Sequence, residues 1–117
     1  MLFLCRQFLL LVILLGAVTG VFADFWQDSI SKEQWDSYAQ GKELHRMDSI
    51  RELLGLFQEK PGYKLTIRHP GGEEGFAWGE ALKHWLVALG IPSGYVITLP
   101  GSGGLNILHL SMSYPGE

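Results

Sequence analysis

Tyr63-Lys64-Leu65-Thr66-Ile67-Arg68-His69-Pro70 is followed by Gly71-Gly72-Glu73-Glu74-Gly75, then Phe76 to Leu89, Gly90-Ile91-Pro92 and Tyr95-Val96-Ile97-Thr98-Leu99. In the first octet Tyr63, Leu65 and Ile67 alternate with Lys64, Thr66 and Arg68. That period of two is the mark of a half-buried strand. Pro70 and the glycines stop it. From Phe76 the spacing changes: Trp78, Leu82, Trp85, Leu86 and Leu89 fall on one helical face, with Glu80, Lys83 and His84 off it. Glu73 and Glu74 precede or open this helix, where its dipole favours acids. Gly90 supplies the stop and Pro92 prevents continuation. Val96-Ile97-Thr98-Leu99 is short, β-branched and apolar, a second strand. Strand, helix and strand in succession predict a right-handed crossover between parallel strands.

The flanking sequence extends this unit on both sides. Pro100-Gly101-Ser102-Gly103-Gly104 is a loop, and Leu105 to Ser113 reads as a last strand in which Leu108, Leu110 and Met112 alternate with His109 and Ser111. The loop length predicts a hairpin, with this strand antiparallel to its predecessor. Upstream, Asp48 or Ser49 can cap a helix running to about Lys60. Ile50, Leu53, Leu54 and Phe57 form its apolar stripe, and Pro61-Gly62 ends it. Further upstream, Ser31 and Gln34 make a capping-box pattern. It opens a short helix near Ser31 to Gln40, with Trp35 and Tyr38 as packing residues and Gly41 as its stop. The expected fold class is α+β: a two-layer sandwich of a small mixed sheet, containing the βαβ unit, with helices on one face.

The chain has 117 residues, net charge −3 and one cysteine. That length supports one small domain. Met1 to Ala23 carries Arg6, the apolar run Phe8 to Leu15 and then small residues ending Val21-Phe22-Ala23. This is a signal-peptide pattern, with cleavage expected after Ala23. The run is shorter than the ~20 apolar residues a spanning helix needs, so no stable membrane anchor is expected after cleavage. The expected division is therefore 1–23 signal, 24–47 N-terminal helical segment and 48–117 α+β domain, in a periplasmic protein. Cys5 lies in the leader, so the mature chain would have neither a disulfide nor a thiolate ligand. The mature chain is mildly acidic, which argues against nucleic acid as a partner.

Ser49 to Met112 resembles the OmpA-like (OmpA/MotB-like) envelope domain. The resemblance rests on the helix Ile50 to Phe57, on Lys60-Pro61-Gly62-Tyr63-Lys64-Leu65-Thr66-Ile67 with His69, and on Leu82, Leu86, Gly90, Ile91 and Pro92. It implies an α+β fold and an envelope location. Members of that family commonly bind peptidoglycan through an aspartate and an arginine. Aligned on Gly90, the arginine position falls on Trp78. Counted from His69, the aspartate position falls on Gly71. The charge pair that would hold an amino-acid zwitterion is thus missing here. Degenerate envelope domains of this kind also resemble accessory proteins of conjugative elements and secretion systems.

Arg68, His69, Glu73 and Glu74 surround the glycine turn at the carboxyl end of a strand, where ligands tend to sit in such sheets. Trp78, on the first turn of the following helix, is the tryptophan expected to be exposed beside them. These five residues are the candidate binding patch. The four histidines show no ligand spacing, so no metal or other cofactor is expected. Ser102 lies in a loop between two strands rather than in a nucleophile elbow. Glu73 and Glu74 are neighbours that point about 100° apart on a helix, so they do not form a carboxylate pair. The expectation is a non-catalytic periplasmic protein that binds a protein partner of the envelope, as an accessory of a conjugation or secretion apparatus. Peptidoglycan binding is the alternative, and a small hydrolase a third.

Overall fold

The computed structural model describes residues 26–59 and 62–113. The expected leader lies outside them, as do Lys60 and Pro61 at the expected helix stop. The elements are β1 (Trp26–Ser31), α1 (Lys32–Ser37), 3₁₀ turns at Ala39–Gly41 and Leu44–Arg46, and α2 (Asp48–Glu59). They continue with β2 (Lys64–His69), α3 (Gly72–Ala88), a 3₁₀ turn at Ser93–Tyr95, β3 (Val96–Pro100) and β4 (Ile107–Ser113). The four strands form one sheet in the order β1-β4-β2-β3. β2 and β3 are parallel, and β4 is antiparallel to both β1 and β2. This is the α+β class that the periodicities predict.

The first strand is a finding. Residues 24–47 were expected to be a helical segment with one short helix near Ser31 to Gln40 and no strand, yet Trp26–Ser31 forms a sheet edge paired with Ile107–Met112. Only Ile30 is fully buried in it, so its pattern is too weak to announce a strand. Ser31 then does two jobs. It ends the strand and caps α1: its hydroxyl accepts from the Gln34 amide at 3.1 Å, while the Gln34 side chain accepts from the Ser31 amide at 3.0 Å. The capping box is thus present, but α1 stops at Ser37 and a 3₁₀ turn replaces the expected last turn. Gly41 lies in that turn at φ +99°, and a Cβ there would run into the rings of Trp85 and Trp35. Glycine is required by both conformation and space.

The second difference is the place of β4. The expected hairpin with β3 does not form. The Gly101 and Ser102 amides donate to the His69 carbonyl at 2.9 and 3.2 Å. The chain is hooked over the end of β2 and enters the sheet on its other side. Packing explains the choice. Leu108, Leu110 and Met112 are all 0% exposed, whereas Ile97 and Leu99 of β3 are 37% and 39% exposed. The strand with three large apolar side chains on one face takes the centre, and the shorter strand with Ile97 and Leu99 on the other face takes the edge. Leu105, expected to begin the last strand, lies before it and is 84% exposed.

Residues opposite one another in a ladder share a face. Ile30 with Leu108, Leu110 with Ile67, and Met112 with Leu65 and Val96 form the covered face. Against them pack Ile50, Leu53 and Phe57 of α2 and Trp78, Leu82 and Leu86 of α3, with Trp35, Leu44 and Met47 filling the corner. Of the expected stripe on α3, Trp85 is only partly buried and Leu89 is 36% exposed. The other sheet face carries the rows Ser29-His109-Arg68-Leu99 and Gln27-Ser111-Thr66-Ile97.

Candidate functional site

The five residues of the expected patch do not converge. Arg68 and His69 are consecutive in a strand, so they point to opposite sides of the sheet. Arg68 is exposed on the uncovered face, between Leu99 and His109. His69 is 5% exposed on the covered face. Its Nδ1 lies 2.8 Å from the Pro70 carbonyl oxygen, which can only accept, so Nδ1 carries the proton. The ring meets Phe76 edge-on at 5.8 Å, and a Cβ on Gly79 would come within 2.9 Å of it. With its carbonyl also holding the Gly101–Ser102 loop, His69 is a joint between β2, α3 and that loop.

Glu73 and Glu74 stand exposed in the first turn of α3, whose N-cap Gly71 offers no side-chain acceptor. Trp78 was expected to be exposed and is not. It is 8% exposed, and its ring meets that of Trp35 edge-on at 6.2 Å. The reason is β1 and α1: they bring a second indole and a lysine against the flank of α3 that would otherwise face water.

Trp78 nevertheless sits beneath a groove. One cleft of about 100 Å³ is lined by Lys32, Pro70, Glu74, Gly75, Trp78, Leu105 and Asn106. An adjoining one of about 430 Å³ is lined by Lys32, Trp35, Gln40, Glu74, Ala77, Trp78 and Ala81. Lys32, Glu74 and Trp78 belong to both. The Lys32 ammonium lies 5.2 Å from the centre of the Trp78 ring, a cation–π contact. The same ammonium is 3.8 Å from Asp36, and the Lys32 amide donates to the Asn106 carbonyl at 2.9 Å. The groove therefore has an indole floor, an ammonium and a carboxylate on its rim, and exposed Leu105 at one end. The Trp78 Nε1–H is buried without a hydrogen-bond partner among the described residues. Such an orphan donor costs about 1–3 kcal/mol.

Glu74 and Trp78 were the only two of the five expected residues to reach this groove. Lys32, Trp35 and Leu105 were missed as site residues. Their sequence signals were weak: Leu105 read as the start of a strand, Trp35 as a packing residue, and Lys32 as a lysine just after a helix cap. A further cleft of about 380 Å³, lined by Asp28, Ser29, Gln34, Tyr38, Met47, Asp48, Ser49 and Glu52, lies between β1 and α2. Among the described residues no three His, Cys, Asp or Glu gather in a way that could hold a metal ion, and no helix is long and apolar enough to cross a membrane.

No family model matches the sequence, and no curated protein or solved structure matches it.

Proposed function

We propose that this is a non-catalytic envelope protein, exported to the periplasm, that binds a protein partner through the groove over Trp78. One observation carries the reading: two adjoining clefts share Lys32, Glu74 and Trp78. An apolar aromatic floor between opposite charges suits an extended peptide segment. Its side chain would lie on the indoles, while its flanking polar groups meet the ammonium and carboxylate. The signal-like N-terminus and the OmpA-like resemblance support the envelope location, and an accessory role in a conjugation or secretion apparatus follows from the same resemblance. Arg68, on the far face of the sheet, is not part of this contact.

The test uses a photo-reactive residue in place of Leu105 in the native envelope. It should cross-link to one defined protein, and Lys32→Glu combined with Glu74→Lys should abolish the adduct. An adduct unaffected by that double reversal would remove the groove from the interface. The second reading is a cell-wall stem peptide, favoured by the opposed Lys32 and Glu74 charges. Protein that stays in the supernatant with insoluble sacculi rejects it.

A further inference from the structure

β3 is a sheet edge, paired on one side only with β2. Its sequence, Val96-Ile97-Thr98-Leu99-Pro100, contains no charge. Natural edge strands are usually guarded by lysine, an inward charge or a bulge, because an open edge is a template for another strand. Here, before Pro100 at the strand's end, the edge has no such guard, and Ile97 and Leu99 stand 37% and 39% exposed on the uncovered face.

The helix layer above the same edge carries a matching stripe. The flank of α3 toward β1 holds Glu74, Trp78 and Ala81 against Lys32 and Trp35. The opposite flank, toward β3, is marked by the Thr98 hydroxyl donating to the Glu80 carboxylate at 2.7 Å. At helical steps of four, three and four it reads Phe76, Glu80, Lys83 and Val87. Phe76 is 55% and Val87 38% exposed. The order along the helix is apolar, acid, base, apolar. It is self-complementary when reversed: Phe76 then faces Val87 and Glu80 faces Lys83, with both pairings centred on one point.

We propose that two copies of this chain join through β3 in antiparallel register, making one continuous eight-stranded sheet with the two α3 helices side by side. Spacing, register and charge agree. First, the spacing fits: α3 packs over β2 and β3 alike. With strands ~4.8 Å apart, its axis and that of its copy would lie two strand spacings apart, roughly 10 Å, which is the separation of packed helices. Second, the register fits. Glu80 is level with Thr98, and Lys83 lies three residues of ~1.5 Å back along the antiparallel helix. The point midway between them falls near Ile97 at ~3.3 Å per strand residue. A two-fold axis there sets Ile97 against its own copy on the uncovered face and Val96 against Thr98 on the covered one. Third, charge fits: the same axis forms Glu80–Lys83 pairs twice, as an isologous interface requires.

The experiment is sedimentation equilibrium of the full chain, with cross-linking. The wild type should form a dimer, Ile97→Lys should reduce association at least tenfold, and Lys83→Glu should do the same by setting acid against acid. Glu80→Lys combined with Lys83→Glu should restore dimers. With Cys5→Ser as background, Ile97→Cys should oxidise to a disulfide-linked dimer, because residues opposed on a two-fold between antiparallel strands meet at disulfide distance. Leu105→Cys, far from the edge, should not. A wild type that stays monomeric would overturn the proposal. So would a dimer indifferent to Ile97→Lys and Lys83→Glu, or one the double charge reversal fails to restore.

Discussion

Trp78 and Arg68 show how much a side chain's role depends on what reaches it. Both were placed in one exposed patch because they are near the same turn. The strand's alternation alone sends Arg68 to the uncovered face, while burial of Trp78 depends on Lys32 and Trp35. Their energetics should differ accordingly. Trp78→Ala removes a buried indole and should cost about 3–5 kcal/mol, whereas Arg68→Ala should stay within about 0.5 kcal/mol. Urea unfolding midpoints of the two variants check this, and equal midpoints would deny the burial of Trp78. His69 has the same lesson in reverse. A histidine beside a glycine turn reads as a ligand, yet the bare backbone at Gly79 exists to make room for its ring.

At the scale of elements, α1 and β4 mark the two ends of legibility. α1 was readable because its cap is local: Ser31 and Gln34 bond each other's amides across three residues. Ser31→Ala should destabilise the fold by about 1 kcal/mol, and Gln34→Ala added to it should cost little more, since the box is one coupled unit. Additive losses in thermal unfolding would show the two bonds to be independent. β4 was legible as a strand but not as a central one. Its alternation states which side chains are buried and says nothing about which neighbour buries them. Leu110→Ala, at the sheet's centre, should cost about 2–5 kcal/mol, while Leu105→Ala, just outside the strand and 84% exposed, should be within about 0.5 kcal/mol. Comparable losses would return Leu105 to the strand.

For the whole molecule, β1 decides where the folding unit begins. The division at Asp48 separates the resemblance to an OmpA-like domain from what precedes it. The sheet does not respect that line, because β1 covers one side of β4 and brings Ile30, Trp35, Leu44 and Met47 into the same core. A chain beginning at Asp48 should therefore lack cooperative unfolding and dispersed amide resonances, whereas one beginning at Asp24 should keep both. A well-folded fragment from Asp48 would show the N-terminal segment to be an accessory layer. The groove depends on the same segment, since Lys32 and Trp35 form one wall of it.

What the sequence determined by itself was the kind of every helix and strand after β1, and the buried side of most of them: period two in β2 and β4, period 3.6 in α2 and α3, and the cap of α1. These are set by neighbours a few residues apart, so they are written locally. Only the tertiary structure decided the strand order, the recruitment of β1 and the burial of Trp78. Those turn on competition between distant segments for one apolar face. It was won by the strand with the most to bury and by a loop hooked to the His69 carbonyl, and neither contest can be judged from one segment alone.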